Sequence, residues 1–472
     1  MRANKFYSLQ YISGVPYLLP FGQLIADMTR GIQLNETGVF IWHSLEYGID
    51  NEKELIDACL KHYEVDQSEV VSVSQDIREF IDNLVRLQVI INAPSVLNSE
   101  IFSRISDFAP TSGAINGQLM SFSFDANNTR ETHFINIAGL VLKMITPQGT
   151  FADNFKPFEV DAPARSDMLI DIYTGVNPIF SPIGSNPVII NSDLEIYEAA
   201  DGFFFKFPGS AKVNLATMDK DGCHVCLYCS TPDDTDLTTQ DGPDVYEQMR
   251  QYKEFVRNSK PGAKASSGQK LPDFQPKADN GTDVMEPPVP SLKDDVFHAV
   301  RLFFLYLTHS QSMLMVHSAS MLYRNKVWLF SAPSGTGKST HVNIWNRLFN
   351  TPIVNGDLNL LAIENGLPVV KGTPWCGTSG ITDTNTYILG GIILLKRDTE
   401  DSVEELPNDQ KRLLVFQRLI SPAWNADQIA FSITMIDRLA EDILICRLHC
   451  TADDNAAVTM KERIDDYVND GI

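Results

Sequence analysis

The chain has 472 residues, 43% of them hydrophobic and 21% charged, with a formal net charge of −22 at pH 7. That length is too great for one ordinary core and predicts two or three domains. So acidic a balance excludes electrostatic capture of nucleic acid and suits a basic peptide better. The opening stretch MRANKFYSLQYISGV lacks the uninterrupted apolar core of a secretion signal. The most apolar helical stretch, AVRLFFLYLTHSQSMLMV, carries Arg301 and His309 and is too short and polar to span a bilayer. Seven cysteines, an odd number, point to reduced thiols. The expectation is a cytoplasmic protein with neither a membrane nor a nucleic-acid partner.

Residues 1–95 read as a small α/β unit. FYSLQYI and VPYLLPF are β-prone segments joined at Ser13-Gly14, a hairpin turn. Three helices are predicted to follow. Leu55, Ile56, Cys59, Leu60 and Tyr63 share a helical face, with Asn51 and Glu54 placed to cap it. Val70, Val73, Ile77, Phe80, Ile81, Leu84 and Leu87 form a stronger stripe, and Ala93-Pro94-Ser95 marks a boundary.

ISGVPYLLPFGQ, then IQLNETGVFIWHSL, then the D-I-x-x-F-I-x-x-L helix of Asp76–Leu84 resemble the PqqD-like domain, a RiPP recognition element. Leu34, Asn35, Glu36, Thr37, Gly38 and Trp42 carry most of that likeness. The resemblance implies a winged-helix-like unit that binds the leader of a ribosomally made precursor peptide. Such a leader adds a strand to a sheet edge, here Gly31, Ile32, Gln33 and Leu34, and lies against the helix bearing Phe80, Leu84 and Leu87. The same apolar residues also suit the unit's own core. For Leu84 the core is the better reading.

Residues 96–255 are predicted to be mainly β, from short runs such as MLIDIYTG, NPVIINSD and DGFFFKFPG. GCHVCLYCS offers Cys223, Cys226 and Cys229 beside His224, which invites a metal reading. Strand alternation turns Cys226 away from the other two, and no second cysteine pair stands nearby. A β-strand is expected there instead. Residues 256–290, rich in Pro, Gly, Ser and Lys, read as a flexible insertion.

Residues 291–472 alternate helices with apolar strands, as an α/β nucleotide-binding core does. In KVWLFSAPSGTGKSTHVNIWNRLF a strand runs through a glycine-rich turn into a helix, the context of a phosphate loop. Ala332 replaces the usual first glycine. Ser334, Gly335, Thr336, Gly337, Lys338, Ser339 and Thr340 would cradle nucleotide phosphates, with Lys338 on the β- and γ-phosphates and Ser339 on Mg²⁺. Asp357, in TPIVNGDLNLLAI, is a candidate Mg²⁺ ligand and proton acceptor, although an N-G-D triplet alone more often makes a hairpin turn.

MVHSASMLYRNKVWLFSAPSGTGKSTH, VNGDLNLL and KGTPWCGT resemble the HPr kinase/phosphorylase-like group, whose core is related to phosphoenolpyruvate carboxykinase. The likeness runs from about FINIAGLVLKM to the C-terminus. It implies a P-loop kinase using ATP and Mg²⁺, with catalytic His317, Lys338 and Asp357, and a group that often forms homo-oligomers. His317 equally reads as the start of a strand. Where the family pairs two acids, Leu358 follows Asp357. The resemblance also makes Lys371, Thr373 and Trp375 a substrate loop, with Lys371 toward phosphate and Trp375 against substrate, and puts adenine at LLKRDTED, which holds Arg397 and follows the pair Gly390-Gly391; a packed turn is an equal reading of the loop. Three functions stay open: a peptide kinase whose substrate docks by its leader, a nucleotide-gated peptide adaptor, and a small-molecule kinase.

Overall fold

The computed structural model describes residues 1–4, 6–21, 31–87, 89–91, 129–175, 178, 185–190, 193–231, 291–333 and 335–470. The Ala93–Ser95 boundary, the 256–290 insertion and Ser334 lie outside these residues. The fold is mixed α/β.

Near the N-terminus, β2 (Tyr7–Ile12) and β3 (Val15–Pro20) form an antiparallel hairpin. Ser13 and Gly14 turn it with φ of 51° and 80°, the left-handed pair that two-residue hairpins need. β4 (Ile32–Gln33) pairs with β3 and ends the three-stranded sheet. Three helices follow: α1 (Glu36–Glu46), α2 (Glu52–His62) and α3 (Val70–Arg86). The Asn35 and Asn51 side chains cap the first two by accepting from Gly38 N and Glu54 N, each at 2.8 Å. Leu18, Trp42, Leu55, Ile77, Ile81 and Leu84 fill the core between sheet and helices. β1 (Arg2–Ala3) closes onto β5 (Ile90–Ile91).

The middle region is an eight-stranded sheet built from β6 (Arg130–Ile137), β7 (Leu140–Pro147), β8 (Met168–Thr174), β9 (Asn186–Ile190), β10 (Glu195–Glu198), β11 (Gly202–Lys206), β12 (Val213–Asp219) and β13 (His224–Cys229). One face shares a core with helix α4 (Leu292–Ser310) through Leu142, Ile170, Phe205, Phe297, Val300 and Phe303. Ser291 caps α4 and Asp294 caps back, a reciprocal box that starts the helix at a defined residue. Along β13 the side chains alternate. Val225, Leu227 and Cys229 are buried, while the Cys226 thiol lies 3.6 Å from His224 Nε2 on the other face. Cys223 precedes the strand and is exposed. Among the described residues no group of three or more His, Cys, Asp or Glu is placed to hold a metal.

The third sheet centres on β14 (Leu314–Tyr323), which pairs antiparallel with β15 (Lys326–Ser331), β16 (Ile353–Asn355) and β17 (Leu358–Glu364). β18 (Leu367–Lys371) joins β17 to β19 (Thr386–Arg397), and β19 runs parallel to both β15 and β21 (Leu444–Cys450). β20 (Ser402–Glu404) completes the edge. Alternation along β15 turns Trp328 and Phe330 toward α5 (Lys338–Phe349) and α8 (Asp454–Asn469). Val327 and Leu329 face α6 (Asn408–Phe416) and α7 (Ala426–Glu441) instead. Helices therefore cover both faces of this part of the sheet.

Gly390 and Gly391 have a packing reason. A Cβ on either would sit 2.7 Å and 3.0 Å from the Trp328 indole, so the glycine pair makes room for that ring. The N-terminal hairpin also meets α7. Ile12, Tyr17 and Leu19 of the hairpin pack on Ile429 and Ile433 of α7. Among the described residues no helix is long and apolar enough to cross a membrane.

Candidate active site

β15 delivers its chain to the loop at Ala332, and α5 begins at Lys338 with Gly337 as its N-cap. Gly335 and Gly337 take φ of 77° and 120°, values that β-carbons resist, so the two glycines set the curl of the loop. Ala332 is buried, and its carbonyl accepts a 3.3 Å bond from Lys338 Nζ. Burial lowers the lysine's pKa, opposed by the Asp357 charge and reinforced by Arg418. Arg397, at the end of β19, donates to the Gly335 carbonyl and, at 3.3 Å, to that of Thr336. It thus ties down the outer side of the loop. Ser339 and Thr340 are exposed on the first helical turn. Ser334 lies outside the described residues.

Asp357 sits in the turn between β16 and β17, and Asn355 holds that turn. Its Oδ1 accepts from Asp357 N at 2.8 Å and Leu358 N at 3.0 Å. Its Nδ2 donates to the carbonyls of Thr373 at 3.3 Å and Trp375 at 3.4 Å. His317 lies opposite Leu358 on β14, and its Nε2 is 3.1 Å from Asp357 Oδ1. The His317 backbone is gripped on both sides: its N–H donates to Arg418 O at 2.9 Å, and its carbonyl accepts from Ser331 Oγ at 2.7 Å.

Burial pushes the Asp357 pKa up, but the His317 hydrogen bond and the charges of His317, Lys338 and Arg301 outweigh it. The net shift is downward. Asp357 is therefore an ionised acceptor at neutral pH. His317, Lys338 and Asp357, far apart in sequence, are brought to one place. Arg301 and His298 on α4 and Arg418 after α6 join them electrostatically. Sequence reading missed all three. The one signal for the α4 pair was two polar residues, one helical turn apart, in the apolar middle of the helix.

The loop after β18 closes over Asp357. Gly377 has φ 61°, and a Cβ there would lie 2.9 Å from Asp357 Cβ and 3.0 Å from its Cγ. Gly377→Ala should therefore pay left-handed strain of about 1 kcal/mol and push the carboxylate aside. Any reaction that uses the Asp357 carboxylate is expected to slow at least about 10-fold. Rates of the reaction proposed below, wild type against variant, check this; an unchanged rate would mean that Asp357 tolerates displacement.

The predicted substrate loop is a support. Trp375 does not face a substrate: it is 2% exposed, packs on Phe155, Phe297 and Phe304, and donates from Nε1 to Phe297 O at 3.1 Å. Lys371 does not reach toward phosphate either. Its ammonium is held by Glu364 at 2.5 Å and the Ala138 carbonyl at 3.1 Å, which pins β18 to the β6–β7 turn. Thr373 is fully buried and donates to Leu358 O at 3.1 Å. Leu358 itself is buried in the core shared with the middle sheet, so the site holds Asp357 without a neighbouring acid.

In the N-terminal unit, Gly31, Ile32, Gln33 and Leu34 lie along the outer side of β3. The Leu34 N–H donates inward to Pro16 O at 2.9 Å, so strand alternation aims the Gln33 N–H away from β3, at an edge that no strand pairs among the described residues. Leu34 is buried and Phe80 partly so, packed close about Gly38. Leu84 is a core residue, which removes it as a peptide contact, whereas Leu87 is half exposed at the end of α3.

His341, one turn into α5, is buried and stacked on Phe330, with neither ring nitrogen hydrogen-bonded among the described residues. Burial lowers its pKa to about 4, against the opposing pull of Asp401. The folded state thus refuses a proton that the unfolded chain accepts near pH 6.5. Stability from this group is complete above that pH and is lost as pH falls toward 4, by up to about 3 kcal/mol. Denaturant midpoints of wild type and His341→Leu should diverge over that window, with the variant the flatter. Parallel curves would contradict the burial of a neutral ring.

Residues 24–90 match the family profile described as coenzyme PQQ synthesis protein D (PqqD), so the chain carries a PqqD domain near its N-terminus. A search of curated proteins finds no match. A solved structure of the Hpr(Ser) kinase/phosphatase from Coxiella burnetii aligns with 33% of this chain and 97% of its own, at 10% identity and a TM-score of 0.19.

Proposed function

We propose that the chain is an ATP-dependent kinase that phosphorylates a Ser or Thr hydroxyl of a ribosomally made precursor peptide. Residues 1–95 recruit the peptide by its leader, residues 96–255 and 291–472 form the catalytic body, and 256–290 link its parts. One observation carries the reading: an ionised Asp357, 3.1 Å from His317, shares its electrostatic field with the lysine of a glycine-rich strand–loop–helix. The PqqD domain on the same chain supports a peptide as the acceptor.

The acceptor oxygen attacks the γ-phosphorus as the bond to the β–γ bridging oxygen breaks, and ADP leaves with that electron pair. The hydroxyl proton passes to Asp357. Lys338 neutralises charge gathering on the phosphate oxygens, and His317 orients the carboxylate. The Ser339 hydroxyl and the Asp357 carboxylate are hard oxygen donors, and Mg²⁺ takes one or two such ligands alongside phosphate and water. These two residues would hold the ion, which would supply further charge neutralisation.

Leu358 leaves a single carboxylate for both tasks and favours the nucleotide-gated adaptor as the second reading. The test is incubation with MgATP and the precursor peptide, followed by mass spectrometry. Gain of one phosphate on a Ser or Thr is expected. MgATP binding with an unmodified peptide would instead establish the adaptor.

A further inference from the structure

The recognition edge and the nucleotide site are joined by one unbroken run of contacts. At Gly31, where the edge strand begins, a Cβ would lie 2.7 Å from Leu19 Cδ2 and 3.9 Å from Leu413 Cδ1. Leu19 and Tyr17 belong to the hairpin cluster that also takes in Leu413 and Phe416 of α6. The Tyr17 hydroxyl donates to Asp409 in the first turn of that helix at 2.9 Å. From Leu413 the backbone stays hydrogen-bonded without a gap: Gln417 N to Leu413 O, Arg418 N to Val415 O, and Leu419 N to Phe416 O. The chain then docks on β14 beside the site. Arg418 O accepts from His317 N, Leu419 bridges Val316, and Ile420 N donates to Met315 O.

We propose that the segment Gln417–Ile420 is the element through which the recognition edge sets the nucleotide site, with Arg418 as the positioning residue it carries. A strand added at Gly31–Gln33 bears on Leu19 and Leu413. Any shift of α6 is then delivered to Arg418 and to the His317 backbone. The Arg418 and Lys338 charges repel each other, and a bound polyphosphate relieves that repulsion. Nucleotide affinity therefore reads out where Arg418 stands. Because linkage is reciprocal, a peptide on the edge and a nucleotide on the loop alter each other's affinity by the same factor. The inference rests on the phosphate-loop reading of the site and adds to it a regulatory role for the front domain beyond recruitment.

The experiment is a double-mutant cycle on the full chain, with MgATP affinity as the readout. Leu413→Ala, remote from the loop, should weaken MgATP about threefold to tenfold in the wild-type background and have no effect in the Arg418→Gln background. Arg418→Lys should restore most of the coupling, which a merely structural residue would not require. Tyr17→Phe, which removes one hydroxyl, serves if Leu413→Ala does not fold; it should act in the same direction and also vanish with Arg418→Gln. Equal effects in both backgrounds, or none in the wild type, would overturn the coupling while leaving the nucleotide site standing. Failure of the wild-type chain to bind MgATP would overturn the site reading and this inference together.

Discussion

Lys338→Ala is expected to reduce phosphoryl transfer about 10³-fold or more while leaving peptide binding at the front domain intact. The Lys338 ammonium is buried against the loop, where a charge acts in a lower dielectric than water, so its loss is not made good by solvent. Asp357→Asn should do comparable damage by a different route, since an amide is a poor proton acceptor and a weak Mg²⁺ ligand. The two variants separate in one measurement. Lys338→Ala should weaken ATP with or without Mg²⁺, because the lysine would face phosphate before transfer as well as during it. Asp357→Asn should leave metal-free ATP binding unchanged, lose only the gain in affinity that Mg²⁺ gives, and fail mainly in the chemical step. Product yield by mass spectrometry, read beside nucleotide titration, checks both. Wild-type yield from either variant would remove the mechanism.

What the sequence made legible was local. The Ser13-Gly14 hairpin, the Asn51 cap and the alternation of β13 follow from a few neighbouring residues, and the structure shows each of them. The glycine-rich loop could be read for the same reason, since Gly335 and Gly337 permit the positive φ that both adopt. At Trp375 and Lys371 the sequence leaves a substrate loop and a packed turn equally open. A tryptophan in a Pro-containing loop can face a substrate or a core, and only the distant Phe155 and Phe297 decide which. A lysine there can serve phosphate or a carboxylate, and it is Glu364 and the Ala138 carbonyl that claim it here. Arg301 and Arg418 carried no motif at all. Their place near Asp357 and Lys338 depends on how α4 and the segment after α6 pack, which no short window contains.

Removing the leader from the precursor peptide is expected to lower kcat/KM about 10²-fold, mainly through KM. A leader bound at a roughly micromolar Kd contributes about −8 kcal/mol. The tether then presents the acceptor hydroxyl to the site at an effective concentration on the order of millimolar. The catalytic site therefore need not hold the core peptide tightly by itself. Deleting residues 1–95 is a poor way to ask the question, because it strips Ile12, Tyr17 and Leu19 from Ile429 and Ile433 and bares an apolar face of the catalytic body. Gln33→Pro is cleaner. Its N–H points to the open edge while Leu34 N–H makes the inward bond, so proline removes a donor offered to the leader and spares the pairing with β3. The variant should raise KM for the full-length peptide toward the leaderless value and leave the leaderless peptide's kinetics unchanged. Steady-state phosphorylation of both peptides by wild type and variant provides the four rates. If all four are equal, the front domain does not recruit the substrate; if neither peptide is phosphorylated, a small-molecule acceptor becomes the better reading of the site.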